Sequence, residues 1–186
     1  MTMEPQTIFA NDQYRIRTPA TSDVIKHHAA VQASLAELNT WMSWCSGAYD
    51  LSDSEQFISR CESNLRDGIR YDFCVFDAAS EKVLGAVAIN AIRREENCAN
   101  VAYWTRIDAT GRGIATLAAR SAAVFGFEKL GLRRLEILAQ PTNHASRRVA
   151  EKLGACFEEI ARDKIVFRGE SRAAAVYSLR PEDVRD

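Results

Sequence analysis

The stretch AYWTRIDATGRGIATLAARSAAVFGFEKL, Ala102 to Leu130, decides how this chain is read. It begins as a strand ending in Tyr103, Trp104 and Thr105 and passes through a short polar turn. Thr110-Gly111-Arg112-Gly113-Ile114-Ala115-Thr116 follows, and then a long helix. The glycines stand where strand gives way to helix. Such a corner presents unpaired N–H groups at the positive end of the helix dipole, which makes it an anion site. Gly111 and Gly113 carry no Cβ, so a ligand can come close to the backbone. Arg112 adds a fork of donors suited to phosphate. The expectation is that this turn holds a pyrophosphate; the bland alternative is a glycine turn that only enters a helix.

Two phosphate loops fit poorly. A Walker loop needs G-x-x-x-x-G-K-[ST], and no Lys-Ser or Lys-Thr follows these glycines. The dinucleotide fingerprint needs a third small residue, and Thr116 occupies that place.

The 186 residues are 47% hydrophobic with net charge −1, enough for one compact domain with its own core. No basic face is implied, which argues against general nucleic-acid binding. No signal-like segment and no apolar run of roughly 18 residues appears, so the expectation is a soluble cytoplasmic protein with no membrane partner. The five cysteines are odd in number and form no C-x-x-C, which favours reduced, packed thiols. His27 and His28 lack obvious co-ligands, and no metal is expected.

The residues up to Asn11 are polar and read as a loose lead-in. Tyr14–Arg17 alternates and reads as the first strand, ended by Pro19. Ser22 can cap a helix over Asp23 to about Glu37, with Val24, His28, Val31 and Leu35 on one face. Trp41 and Trp44 interrupt any pattern; they either lock a loop to the core or line an acceptor groove. Ser52 and Glu55 have capping-box spacing for a helix to about Asp67, ended by Gly68. Three strands follow, from Tyr71, Val83 and Cys98, with the charged turn Arg93–Asn97 as a hairpin tip. After the central helix, which turns Ile114, Leu117, Ala118, Val124 and Phe125 inward, comes a strand over Arg133–Gln140. Asn143 can cap a helix ending at Gly154, with Ala145, Val149 and Leu153 inward. Two strands close the chain around a turn at Gly169.

Short connections make the three middle strands antiparallel. The central helix is a crossover, so its flanking strands should be parallel. The fold class expected is α/β, with a mixed, largely antiparallel sheet and helices on both faces.

With these parts in order, the chain resembles the GNAT superfamily of N-acetyltransferases, and within it the ribosomal-protein acetyltransferases of the Rim type. The resemblance rests on Trp41–Trp44, Gly85–Asn90, Ala102-Tyr103-Trp104, Thr110–Ala115, Asn143–Ser146 and Glu151–Gly154. The acyl-CoA loop of that superfamily is Q/R-x-x-G-x-G/A; Gly113 and Ala115 fit its end, and Thr110 stands at the Gln/Arg position. Ala155-Cys156-Phe157 departs from the more usual Gly-Phe. The resemblance implies one N-acetyltransferase domain over residues 1–186, core about 14–180, with the sheet splayed between two central strands.

It also implies roles. Acetyl-CoA is the co-substrate, its pantetheine lying in the splay against Trp104 and Thr105. The amides of Gly111, Arg112, Gly113, Ile114, Ala115 and Thr116 take the pyrophosphate. Asn143 lies beside the pantetheine, and Lys152 or Arg147 reaches the 3′-phosphate. Ser146 donates a proton to the leaving thiolate, and a backbone N–H near Tyr103 polarises the carbonyl. Asn143 and Ser146 also read simply as a helix cap and a first-turn residue. Asn90, Tyr103 and His144 are candidates to hold a water at the amine, and Trp41, Trp44 and Asn90 to meet the acceptor. An α-amine, with a pKa of about 7.7–8.0, needs less help losing its proton than a lysine at about 10.4. The acceptor expected is therefore a protein N-terminus. A small amine, or CoA binding without catalysis, remains open, as do the acyl group and a homodimer through the C-terminal strands.

Overall fold

The computed structural model describes residues 4–184. Eight strands form one mixed sheet in the order β1-β2-β3-β4-β5-β6-β8-β7. They are β1 Thr7–Ala10, β2 Tyr14–Arg17, β3 Tyr71–Asp77, β4 Val83–Arg93, β5 Cys98–Thr105, β6 Arg134–Ala139, β7 Cys156–Phe167 and β8 Glu170–Leu179. The helices are α1 Val24–Ala33, α2 Leu35–Trp41, α3 Leu51–Asp67, α4 Ile114–Glu128 and α5 His144–Lys152. Only β5 and β6 run parallel, as the crossover through α4 requires.

The helices cover both faces. Alanines at 118, 119, 122 and 123 let α4 lie close on the sheet, with Ile114 and Phe125 filling the space around them. On the other face Ala30 of α1 packs on Cys74, Phe76, Val83 and Ala86. Gly85 sits against β5, where a Cβ would run into the Trp104 carbonyl oxygen. That close approach seats Trp104 opposite Ala86.

Several local expectations are corrected. Thr7–Ala10 of the polar lead-in is a strand, paired antiparallel with β2; Met1–Met3 lie outside the described residues. The first helix breaks at Ser34, whose Oγ accepts the Ile107 N–H at 2.9 Å. Ser22 caps nothing: Asp23 accepts the Ala20 N–H at 2.8 Å and pairs with Arg17 at 2.7 Å. The inward face of α1 carries His27, Ala30 and Val31 rather than Val24 and His28. The box that opens α3 is Asp50–Asp53, not Ser52–Glu55. Ala150, not Ala145, is the buried alanine of α5.

Candidate active site

The parallel seam between β5 and β6 is short. It pairs Cys98–Asn100 with Arg134–Glu136 and stops there. Beyond it β5 runs on to Thr105, held only by β4, while β6 runs on to Ala139, held by β8. The two strands part, and each leaves a row of main-chain groups facing the gap.

At the top of the gap lies the glycine corner. Gly111 and Gly113 both have φ of 77°, left-handed values that suit a residue without a Cβ. A Cβ at either position would meet nothing within 4 Å, so the corner is open. Gly113 caps α4, and the first N–H of that end to find a main-chain acceptor is Leu117, on the Gly113 carbonyl at 2.9 Å. The N–H groups of Ile114, Ala115 and Thr116 come before it and point out of the helix end. A groove of about 280 Å³ begins here and runs past Thr105 to Asn143, Ser146, Arg148 and Lys152 on α5. On its wall Thr105 Oγ1 is buried with no hydrogen-bond partner among the described residues.

Asn143 Oδ1 accepts the Ser146 N–H at 3.0 Å, so Asn143 does cap α5. Tyr103 crosses the gap to donate to the Ser146 carbonyl at 2.9 Å, and Ser146 Oγ lies 3.4 Å from the Tyr103 hydroxyl. Burial pushes the Tyr103 phenol up to about 12, partly offset by its bond to Ser146. It is a donor at neutral pH, not a base.

A second cavity, of about 250 Å³, opens on the other side of β5 and shares Met42, Tyr103 and Trp104 with the groove. Its floor is Ala86, Ala88 and Ala102. Its walls are aromatic: Trp44 lies 6.3 Å from Trp104 and 5.8 Å from Tyr49, and His27 stacks on Phe57 at 4.6 Å. Asp53, Arg60, Asn64, Arg70 and Asp72 complete it. Asp72 is buried, and Arg70 grips both its oxygens at 2.8 Å. It sits on β3, level with Ala88 and Ala102, so two strand spacings of about 4.8 Å separate it from β5.

The site residues expected from sequence divide unequally. Tyr103, Trp104, Thr105, Gly111, Gly113, Ile114, Ala115, Thr116, Asn143, Ser146 and Lys152 all line the groove. Arg112 does not: its guanidinium turns back to the Tyr14 hydroxyl at 3.2 Å. Arg147 is likewise spent, on Tyr177 and the Pro141 carbonyl, while Arg148 lines the groove beside Lys152. Trp41 lines the groove and Trp44 the second cavity, so the two rings do not act together. Asn90 accepts from Asn100 at 2.9 Å and lines neither space, and His144 is exposed outside both. Sequence reasoning missed Phe57, Arg60, Arg70 and Asp72, which no local pattern connects, and it set His27 aside; Tyr49, in the loop beside the two tryptophans, does line the cavity. Among the described residues no three or more His, Cys, Asp or Glu gather as a metal would need, and no helix is long and apolar enough to cross a membrane.

A family model described as an acetyltransferase (GNAT) domain matches residues 14–155. The chain is similar to YjcK of Bacillus subtilis (strain 168), named a probable N-acetyltransferase. The two are 30% identical over 137 residues, 73% of this chain and 76% of that protein. A similar solved structure comes from Vibrio cholerae, provisionally titled a ribosomal-protein-serine acetyltransferase: TM-score 0.86, 29% identity, 97% of this chain and 100% of that one. RimL, a ribosomal L7/L12 α-N-protein acetyltransferase solved with coenzyme A, superposes with TM-score 0.85 over 94% of this chain and 98% of its own. Its identity is 18%, a likeness of fold alone.

Proposed function

We propose a donor, an acceptor and a chemical route for this chain on one premise: it belongs to the GNAT superfamily of N-acetyltransferases. The donor is acetyl-CoA, and the acceptor is the N-terminal α-amine of a protein, of the ribosomal-protein kind. The observation that carries this reading is the meeting of two cavities at Met42, Tyr103 and Trp104, where the seam opens. One space suits a long phosphorylated chain and the other an amine.

The groove fits the donor chemically. Unpaired N–H groups at a helix N-terminus suit a diphosphate. The unpartnered Thr105 Oγ1 and the open edges of β5 and β6 suit an amide-bearing arm. Arg148 and Lys152 bring two positive charges to the far wall, for a further phosphate. Bound there, acetyl-CoA supplies an activated acetyl thioester. The main-chain N–H groups near Tyr103–Thr105 polarise a carbonyl placed against them. Ser146 Oγ, held only by a long contact to Tyr103, turns to give a proton to the leaving sulfur as it takes one from water in the groove.

The acceptor is argued from what must lose a proton. Of the two carboxylates lining the amine-side cavity, Asp72 is clamped by Arg70, two strands from β5, and Asp53 accepts the Asp50 N–H at 2.9 Å at the start of α3. Freeing an α-amine of its proton at pH 7 costs about 1 kcal/mol, against roughly 4–5 for a lysine. A site without a carboxylate at the junction suits the former. A second reading, a small amine, is favoured by the cavity's size: about 250 Å³, just below the usual range for ligand pockets of about 300–1,000 Å³.

Release of free thiol from acetyl-CoA, read against N-terminal peptides, blocked peptides with one lysine, and small amines, tests both. Turnover that rises with peptide length supports a protein N-terminus; turnover confined to small amines overturns it.

A further inference from the structure

Behind the amine-side cavity lies a chain of three neutral groups that the route above does not use. His27 Nδ1 lies 3.1 Å from Ser54 Oγ, and Ser54 Oγ lies 3.0 Å from the Tyr49 hydroxyl. Ser54 is fully buried, while His27 and Tyr49 both line the cavity. The chain therefore starts and ends in the same space. His27 Nε2 has no hydrogen-bond partner among the described residues, yet it is not among the polar atoms sealed from solvent, so it opens on the cavity. The ring is fixed in place, stacked on Phe57 at 4.6 Å and set edge-on to Trp104 at 6.0 Å. Trp104 belongs to the strand beside which the thioester is proposed to lie.

We infer that His27 Nε2 accepts the proton shed by the attacking amine, directly or through one water, and that Ser54 and Tyr49 pass a proton on to solvent. The inference rests on the amine-acetylation reading. As the new N–C bond forms, the C–S bond breaks and its electron pair stays on sulfur. The amine proton goes to Nε2, and the Nδ1 proton moves to Ser54 Oγ. The Ser54 proton moves to the Tyr49 oxygen, and the Tyr49 proton leaves to water. The net change is one proton from amine to solvent, with no charge left on the relay and His27 left as the Nε2–H tautomer; it resets when Nε2 loses its proton to water in the cavity and the two hydroxyls pass one back from water to Nδ1. Ser54 and Tyr49 are positioning residues: with Ser54 accepting from Nδ1–H and donating to Tyr49, the direction this inference requires, Nε2 is left free to accept.

The surroundings favour transfer through the ring over storage on it. Burial, and then the neighbouring His28, bring His27 down to about 4, with Asp23 a small opposing influence. Asp23 is itself taken by Arg17. Arg60 and Asp53 also line the cavity, Asp53 accepting the Asp50 N–H, and Asp72 is held by Arg70. The imidazole is neutral at pH 7 and resists lasting protonation, which suits a concerted relay.

The test uses the full chain. His27→Phe keeps a ring on Phe57; its kcat should fall about 100-fold, the lower end for a lost acid–base group, with unchanged KM for acetyl-CoA and an unchanged melting shift with CoA. His27→Ala should be equally slow and regain turnover with millimolar imidazole, which His27→Phe has no space to admit. Imidazole ¹⁵N shifts of the unliganded wild type should show a neutral, Nδ1-protonated His27 at pH 7, displaced in Ser54→Ala. Unchanged kcat in folded His27→Phe, no rescue of His27→Ala, or an Nε2–H resting tautomer would each overturn the inference. If His27→Phe does not fold, Ser54→Ala and the tautomer decide. Wild type that releases no thiol with any amine would instead refute the proposed function, and the tautomer would still be readable.

Discussion

Tyr103 donates its phenolic proton to the main-chain carbonyl of Ser146 at 2.9 Å, tying the middle strand to the first turn of α5 across the open seam. A carbonyl survives any substitution at 146. The tie and the Ser146 hydroxyl can therefore be removed separately.

Ser146→Ala should leave CoA affinity and melting temperature near wild type and lower kcat by about 100-fold, the lower end for a lost general acid. Tyr103→Phe should do the reverse. Loss of one buried hydrogen bond costs about 1 kcal/mol of stability, and CoA should bind more weakly as α5 loosens. Steady-state thiol release with thermal melts separates the two. Equal kcat for Ser146→Ala and wild type would remove Ser146 from the chemistry.

Gly113→Val puts a branched side chain where φ is 77°, on the open side of the corner. Residues other than glycine hold such a conformation at a cost of order 1–3 kcal/mol. The helix end should relax, and CoA should lose about tenfold or more in affinity with little loss of fold. Calorimetric titration with CoA measures it.

Arg148 and Lys152 stand one turn apart on α5 and face the same groove. Changing both to Glu should weaken CoA by tenfold or more, since contacts to charged groups are worth about 1.5–3 kcal/mol each. Dephospho-CoA should be far less affected. Equal losses for the two ligands would place the 3′-phosphate elsewhere.

Stability should fall on mild acidification because of His27. Its folded pKa of about 4 lies below the ordinary 6.5, chiefly through burial. Between those values the unfolded chain binds a proton that the folded chain refuses, so stability drops as pH falls from about 6.5 to 4 and then levels off for this group. The loss is on the order of a few kcal/mol at about 1.4 per pH unit. Asp23 acts lower: burial opposes its charge, but hydrogen bonds and charge from Arg17 win and hold its carboxyl below the usual range. Its contribution is present above about pH 4 and lost below. Urea melts at pH 7, 5.5 and 4.5 should show a slope in wild type that His27→Phe flattens.

What could be read from the residues was mostly what neighbours in sequence decide. The corner at Gly111 and Gly113, the crossover helix and the cap at Asn143 each rest on a few consecutive positions, and all three stand in the fold. Competing local signals were harder. Asp50–Asp53 and Ser52–Glu55 share the same spacing, and Asp50 wins because its side chain closes the box. Strand β1 has four residues and a single partner, too little for a periodic signal. The amine-side cavity was invisible for another reason. It joins α1, α3, β3 and β5, and only the packed sheet brings His27, Phe57, Arg70 and Trp104 to one wall. The Arg112 side chain lies away from the groove because a charge beside a glycine corner says nothing about its rotamer, and Tyr14 offers it a hydroxyl.

The tip of the β7–β8 hairpin reaches back to the start of the chain, where Arg168 donates to the Asn39 carbonyl, the Asn39 side-chain oxygen and the Cys45 carbonyl. Two of these three acceptors are peptide oxygens. Sequence drift between positions 39 and 45 can delete one bond of this fastening at most, whereas a single change at 168 deletes all three. Tolerance of this fastening to mutation is thus lopsided: side-chain changes from 39 to 45 leave most of it in place, while a change at the hairpin residue that grips the loop releases it.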